Sequence, residues 1–127
     1  MPHVIIEYTD NIKEEANISQ LLKKVNEVLR SHHDLIPIGG LRTRAIQLTD
    51  YIVADGTEDD AFVHATLKLG KGRSEADLQK MSDDLFRVIK GHFSQLFARR
   101  YLALSLEVYE FQRPTYKQNN IHQRYER

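Results

Sequence analysis

Polar and apolar residues change their spacing twice within the first half of the chain. In residues 3–8, Val4, Ile6 and Tyr8 fall on one face and His3, Ile5 and Glu7 on the other, which is the two-residue period of a strand. From Asn17 onward the apolar residues recur every three or four positions, and this spacing predicts a helix of about three turns. Pro37 and two glycines interrupt the pattern before a second predicted strand at 41–49. The positions predicted to face the core are Val4, Ile6, Tyr8, Ile18, Leu21, Leu22, Val25, Val28 and Leu29.

The same order of strand, helix and strand returns after a polar loop at 55–60. Strands are predicted at 61–69 and 102–111, and the helix between them begins at Ser74. Ser74 can cap the free amides of that helix, and Asp77 can return a hydrogen bond to the cap. One apolar stripe runs through this predicted helix and comprises Leu78, Met81, Leu85, Ile89, Phe93 and Leu96.

Two tandem β-α-β units predict an α+β fold in which a four-stranded mixed sheet carries two helices on one face. The whole chain, 1–127, is expected to form one domain with an internal pseudo-repeat, at about 2–50 and 61–111, and a C-terminal tail. The opposite sheet face is too apolar for open water and too mixed for a closed core, so we expect it to meet other subunits in a closed ring. The residues expected on that face include Ile5, Phe62, His64, Thr66, Ala103 and Ser105.

Composition limits the classes of partner and the cellular compartment that we expect. Lys and Arg together number 18, as do Asp and Glu, so the zero net charge gives no reason to expect nucleic acid or a membrane as a partner. The chain has no cysteine, which excludes disulfides and thiol chemistry and is typical of proteins in a reducing compartment, so we expect the cytoplasm. No apolar stretch approaches the roughly 20 residues of a membrane span. The six histidines lack metal-ligand spacing, so no metal site is expected.

Pro2 is the residue that could carry the most unusual chemistry. Methionine aminopeptidases remove Met1 when the next side chain is small, which would leave Pro2 as a secondary amine. The nitrogens of Pro37 and Pro114 are amides and have no such basicity. An α-amino group titrates near ~8, and burial or nearby arginines lower that pKa towards neutrality, where a general base is most useful.

Three arginines are candidates for binding an anionic substrate. Arg42 and Arg44 are two residues apart at the start of a predicted strand, so they project to the same sheet face. Arg73 lies in a glycine-flanked basic turn that leads into the capped second helix. A base with arginines around it is what proton abstraction next to the carbonyl of an anionic substrate requires. His3 and His64 are weaker candidates to line the same pocket.

Four stretches resemble the 5-carboxymethyl-2-hydroxymuconate isomerase family of the tautomerase superfamily. Together they extend over nearly the whole chain. They are MPHVIIEY at 1–8, GGLRTRA at 39–45, ADGTEDDAFVHATLKLGKGRS at 54–74 and YKQNNIH at 116–122.

This resemblance implies a cofactor-free keto–enol tautomerisation of a polycarboxylate, within homoprotocatechuate (4-hydroxyphenylacetate) degradation. It implies that Pro2 is the general base and that Arg42 and Arg73 hold substrate carboxylates or stabilise the enolate, with Arg44 as the alternative to Arg42. His3 and His64 are then predicted to contact the substrate. The resemblance also implies homotrimers with active sites near subunit boundaries.

Two other functions remain open on the sequence. The first is a tautomerase of another small keto acid such as phenylpyruvate, for which one arginine would suffice because the substrate has one carboxylate. The second is a non-enzymatic oligomeric binding module built on the same scaffold. Retention of Met1 would favour the binding module, because a blocked proline has no basic nitrogen.

Overall fold

The computed structural model describes residues 1–126, and residue 127, the last of the predicted domain, lies outside the described residues. Four strands form one sheet, and three helices accompany it. The elements in chain order are β1 (His3–Thr9), α1 (Ile18–Arg30), β2 (Arg42–Leu48), β3 (Ala61–Leu69), α2 (Glu75–His92), α3 (Ser94–Arg99) and β4 (Leu102–Glu110). Short 3-10 turns occupy Asp10–Ile12, Ile38–Gly40 and Ile121–Tyr125.

The strand order in the sheet is β2-β1-β3-β4. β1 pairs with β2, and β3 with β4, in parallel, while β1 and β3 pair antiparallel at the centre. Each parallel pair is one β-α-β unit, so the predicted α+β fold with a mixed four-stranded sheet is confirmed. His3 pairs with Arg42 on one side and with Lys68 on the other. The starts of β1 and β2 and the end of β3 therefore lie at one end of the sheet.

The core lies between the helices and one face of the sheet. Val4 and Ile6 of β1 and alternate residues of β3 are fully buried, as the two-residue period predicts, while their neighbours on the other face are half-buried. Tyr8, also predicted to face the core, is only half-buried, and Thr9 next to it is fully buried. Burial of this apolar face against the helices is the main stabilising contribution to the fold. The fully buried side chains include Val4, Ile6, Leu21, Val25, Leu29, Val63, Leu67, Met81, Leu85 and Ile89.

The predicted second helix begins as expected and ends earlier. The Ser74 hydroxyl accepts a hydrogen bond from the Asp77 amide at 3.1 Å, which confirms the cap. The hydrogen bond expected back from Asp77 is absent within residues 1–126. The single helix predicted through Leu96 is wrong, because α2 ends at His92 and the backbone of Phe93 leaves the helical region at φ −98°, ψ 10°. The bend keeps both Phe93 and Leu96 buried, so the apolar stripe continues across two helices.

None of the helices in residues 1–126 combines the length and the apolar character that crossing a bilayer requires.

Candidate active site

The amino terminus lies where the sheet brings several basic residues together. Pro2 is buried, and its carbonyl oxygen accepts a hydrogen bond from the Arg42 amide at 3.0 Å. The turn that carries Arg73 follows directly from the end of β3, which pairs with the start of β1. Sheet register therefore places Pro2, Arg42 and Arg73 at the same end of the molecule.

The amino group of Met1 is in a strongly positive environment. Burial is the largest influence that lowers its pKa, followed by the charges of Lys117, Arg73 and Arg42. Met1 is half-buried and Pro2 is buried, so removal of Met1 would leave the new terminal nitrogen one residue further inside.

A cleft of about 340 Å³ opens at Met1. Three of its lining side chains are cations, and one is an aromatic ring at the end of β4. The lining residues are Met1, Gly70, Lys71, Phe111, Gln112, Arg113, Pro114, Thr115 and Lys117. The cleft therefore has the volume and the charge to receive a small polyanion.

Arg73 is held rigidly beside this cleft. Its Nε and Nη2 donate hydrogen bonds to the Leu35 carbonyl oxygen at 3.0 and 2.5 Å, and its Nη1 donates to the Gly70 carbonyl oxygen at 2.9 Å. Burial lowers the pKa of the guanidinium, and Glu110 opposes that shift. An arginine stays charged despite such a shift, so Arg73 is a fixed positive charge near the terminus.

Arg42 and Arg44 have different neighbours, although both project to the same sheet face. Arg42 Nη1 donates to the carbonyl oxygens of Gly39 and Leu41, each at 3.0 Å. Arg44 Nη1 donates to His3 Nδ1 at 3.0 Å. Arg42 is among the charges that lower the pKa of the terminal amine, and Arg44 is not. The geometry therefore associates Arg42 with the amino terminus and Arg44 with His3.

His3 is held in its neutral form. Burial lowers its pKa first, followed by the charge of Arg44, the amino terminus, Arg42 and Lys68. Since Arg44 can only donate, His3 Nδ1 accepts and Nε2 carries the hydrogen. The ring also packs edge-on to Phe111, with 6.5 Å between the centroids, so His3 lies close to the cleft residues.

His64 is not brought together with the other five predicted site residues. It pairs with Glu7, four residues along the sheet from the Lys68 that pairs with His3, a separation of about 13 Å. Its Nδ1 lies 2.7 Å from Ser105 Oγ, and its Nε2 lies 2.9 Å from Glu107 Oε1. A substrate contact for His64 stays a prediction.

The structure adds a segment that sequence reasoning missed, the C-terminal strap, defined as residues 112–126. Asn119 Nδ2 donates to the Gly39 carbonyl oxygen at 2.9 Å. His122 lies so close to Gly39 that an added Cβ would come within 2.5 Å of its Nδ1. The strap thus brings Lys117 to the amino terminus. The sequence feature that could have indicated the strap is the stretch YKQNNIH, which is polar and has no strand or helix period.

Comparison with known proteins gives a consistent result. The family model for 5-carboxymethyl-2-hydroxymuconate isomerase matches residues 2–125. The chain is 45% identical over 124 residues to the 5-carboxymethyl-2-hydroxymuconate Delta-isomerase of Escherichia coli, covering 96% of this chain and 97% of that protein. A crystal structure of a 5-carboxymethyl-2-hydroxymuconate isomerase from Deinococcus radiodurans R1 matches with a TM-score of 0.94 and 48% identity, covering 99% of this chain and 95% of that one.

A more distant structure shares the fold alone. It is described as a fused 4-OT wild-type symmetric trimer, and it matches with a TM-score of 0.60 and 12% identity over 92% of this chain and 93% of that one.

Proposed function

This chain belongs to the 5-carboxymethyl-2-hydroxymuconate isomerase family, and from that premise we propose that it tautomerises 5-carboxymethyl-2-hydroxymuconate with Pro2 as the general base. The observation that carries this proposal is the amino terminus itself. Burial and the charges of three cations lower the pKa of the Met1 amino group, which lies one residue before Pro2 and lines a basic cleft. Family membership also favours an enzyme over a binding module.

The proposed reaction moves one proton and needs no other reactant. After removal of Met1, the neutral nitrogen of Pro2 accepts a proton from the substrate hydroxyl or the adjacent carbon. The electron pair left by the broken bond spreads over the conjugated chain as a dienolate. The protonated proline then returns the proton to a carbon further along that chain, so no atom is gained or lost.

The surrounding cations have two effects on this reaction. They disfavour the protonated amine, so that more of Pro2 is available as a base near neutral pH. They also attract the substrate carboxylates and stabilise the negative charge of the dienolate. Arg73 is suited to the second task because three of its donors are already fixed to backbone carbonyls, so its charge does not have to be reoriented.

The number of cations favours a polycarboxylate over a monocarboxylate such as phenylpyruvate. Arg42 and Arg73 act on the terminus, and Lys71, Arg113 and Lys117 line the cleft. One carboxylate needs one such partner, whereas 5-carboxymethyl-2-hydroxymuconate has three carboxylates. This substrate would assign the protein to homoprotocatechuate (4-hydroxyphenylacetate) degradation.

We propose that the active form is a homotrimer. The symmetric-trimer relative has the same fold, and the outer sheet face of this chain exposes large apolar side chains. On that face Ile46 is 44% exposed and Tyr109 is 46% exposed. Contact between subunits would cover these side chains.

The test of the base is the variant Pro2→Ala, which keeps a terminal amine but a primary and more mobile one. We expect kcat/KM to fall about 100-fold or more, which is within the range for loss of a well-placed acid–base group. The measurement is an ultraviolet assay of the conjugated substrate, with intact-mass analysis of each preparation to establish that Met1 is absent.

Pro37→Ala is the matched control, because Pro37 is exposed and its nitrogen is an amide. We expect it to retain wild-type activity. A fully active preparation that still carries Met1, or a Pro2→Ala variant as active as the wild type, would contradict the role of Pro2.

A further inference from the structure

Lys117 is a cation whose position is set by contacts of later residues in the strap. It lies in the C-terminal strap and lines the cleft together with Met1. Asn119, two residues later, donates a hydrogen bond to the Gly39 carbonyl oxygen, and His122 packs against Gly39. Gly39 in turn precedes the start of β2, whose first residue bonds to Pro2. These contacts fix the position of Lys117 relative to the amino terminus.

The ammonium group of Lys117 is unpaired within the described chain. Among residues 1–126, its ammonium forms neither a hydrogen bond nor a salt bridge, whereas Arg73 donates three hydrogen bonds to backbone carbonyls. An ammonium next to an amino terminus and two arginines is repelled by them, and a bound anion would relieve that repulsion. Its environment therefore favours an external carboxylate.

Lys117 also differs from the other two cleft cations. Lys71 lies between glycines in the turn after β3, and the second of them, Gly72, has a φ of +126°. Neither Lys71 nor Arg113 is among the charges that lower the pKa of the terminal amine, while Lys117 is the strongest of those charges. Lys117 is thus the cleft cation with the strongest effect on the amino group of Met1.

We propose that Lys117 binds one carboxylate of the substrate and makes the site selective for polycarboxylates, an inference that rests on the proposed function. Arg42 and Arg73 would then act on the remaining carboxylates and the dienolate through their positive charge. A lysine suits this role because its ammonium is a compact charge with three donors on a flexible stem, able to follow a carboxylate through the reaction.

The kinetic test compares two substrates in Lys117→Met, which removes the charge and keeps most of the volume. With 5-carboxymethyl-2-hydroxymuconate we expect kcat/KM to fall about 10- to 100-fold, mainly through a higher KM, because a hydrogen bond to a charged partner is lost. With phenylenolpyruvate, a monocarboxylate, we expect less than about a 3-fold change, within the effect of a distant charge. Lys117→Arg should recover most of the loss.

Lys71→Met is the matched control, since it removes an equal charge from the same cleft. We expect a clearly smaller effect than in Lys117→Met. An equal loss on both substrates would overturn the proposal, because Lys117 would then act on the base and not on a second carboxylate. Unchanged kinetics in Lys117→Met, or a larger loss in Lys71→Met, would also overturn it.

A binding measurement separates this inference from the proposed function. Tricarballylate is an unreactive tricarboxylate, and its dissociation constant can be measured by calorimetry without turnover. We expect it to rise about 10- to 100-fold in Lys117→Met and to rise clearly less in Lys71→Met. An unchanged constant, or no binding by the wild type at millimolar concentration, would overturn the role of Lys117. A wild type that binds tricarballylate and converts neither substrate would instead contradict the proposed function.

Discussion

Two neighbours determine which ring nitrogen of His92, at the end of α2, carries the hydrogen. Its Nε2 lies 2.7 Å from the Ala16 carbonyl oxygen, and its Nδ1 lies 3.2 Å from Lys24 Nζ. A carbonyl can only accept and an ammonium can only donate, so Nε2 carries the hydrogen and Nδ1 accepts. Burial is the main cause that lowers the pKa of His92, and Lys24 adds to it, while the hydrogen bond to Ala16 acts in the opposite direction.

A pH-dependent loss of stability follows from His92. Below about pH 6.5 the unfolded chain takes up a proton on this histidine that the folded chain does not, so stability is lost as the pH falls through that value towards the lower folded pKa. We expect His92→Gln to flatten this part of the profile, measured as the free energy of unfolding in urea between about pH 5 and 7.5. His33→Gln, at an exposed position, should retain the wild-type slope. A His92→Gln slope equal to that of the wild type would contradict the assignment.

At the scale of elements, the C-terminal strap depends on one small residue. A Cβ on Gly39 would lie 2.5 Å from His122 Nδ1 and 2.8 Å from His122 Cα. Because the second atom belongs to the backbone, rotation of the side chain cannot remove the clash. The strap would have to move as a segment, and Lys117 would move with it.

Gly39→Ala should therefore loosen the strap and cost about 1–3 kcal/mol of stability, as overpacking does elsewhere. We expect faster tryptic cleavage at Lys117 and Arg124, followed by mass spectrometry, together with lower kcat/KM. Gly91→Ala is the control, since a Cβ there meets nothing within 4 Å and alanine is the better helix former. Equal cleavage rates in Gly39→Ala and the wild type would show that the strap tolerates the added carbon.

The residue pattern predicts the strands well, but it cannot predict the helix break or the contacts of the strap. β3 has the predicted bounds, β2 is one residue shorter at each end, and β4 is one residue shorter at its end, because a two-residue period marks strands clearly. The break at Phe93 leaves burial of the stripe unchanged, so periodicity has no means of detecting it. The contact between Gly39 and His122 joins residues far apart in sequence, and no local pattern encodes it. Lys117 was therefore missed, while the candidates at strand starts could be predicted from the strand pattern.

At the scale of the whole molecule, the outer sheet face predicts assembly. Ile46 lies on that face in the edge strand β2, on the same side as Arg42 and Arg44. Light scattering after size-exclusion chromatography should give three times the mass of one chain. Ile46→Asp is expected to reduce that mass, because it would bury a carboxylate between subunits. Phe97→Asp is the control, since Phe97 is 58% exposed on α3, outside the sheet. A monomeric wild type would contradict the trimer.

The meeting of Met1 and the C-terminal strap at one cleft limits how the protein can be produced and fused. Under the proposed mechanism, an affinity tag ahead of Met1 would keep the Pro2 nitrogen in an amide bond, so a tagged preparation would lack activity for a reason unrelated to folding. A tag after the strap would pull on the segment that carries Lys117. The loop at 54–59 is exposed throughout and lies between the two halves, which makes it the preferred insertion point for a reporter domain.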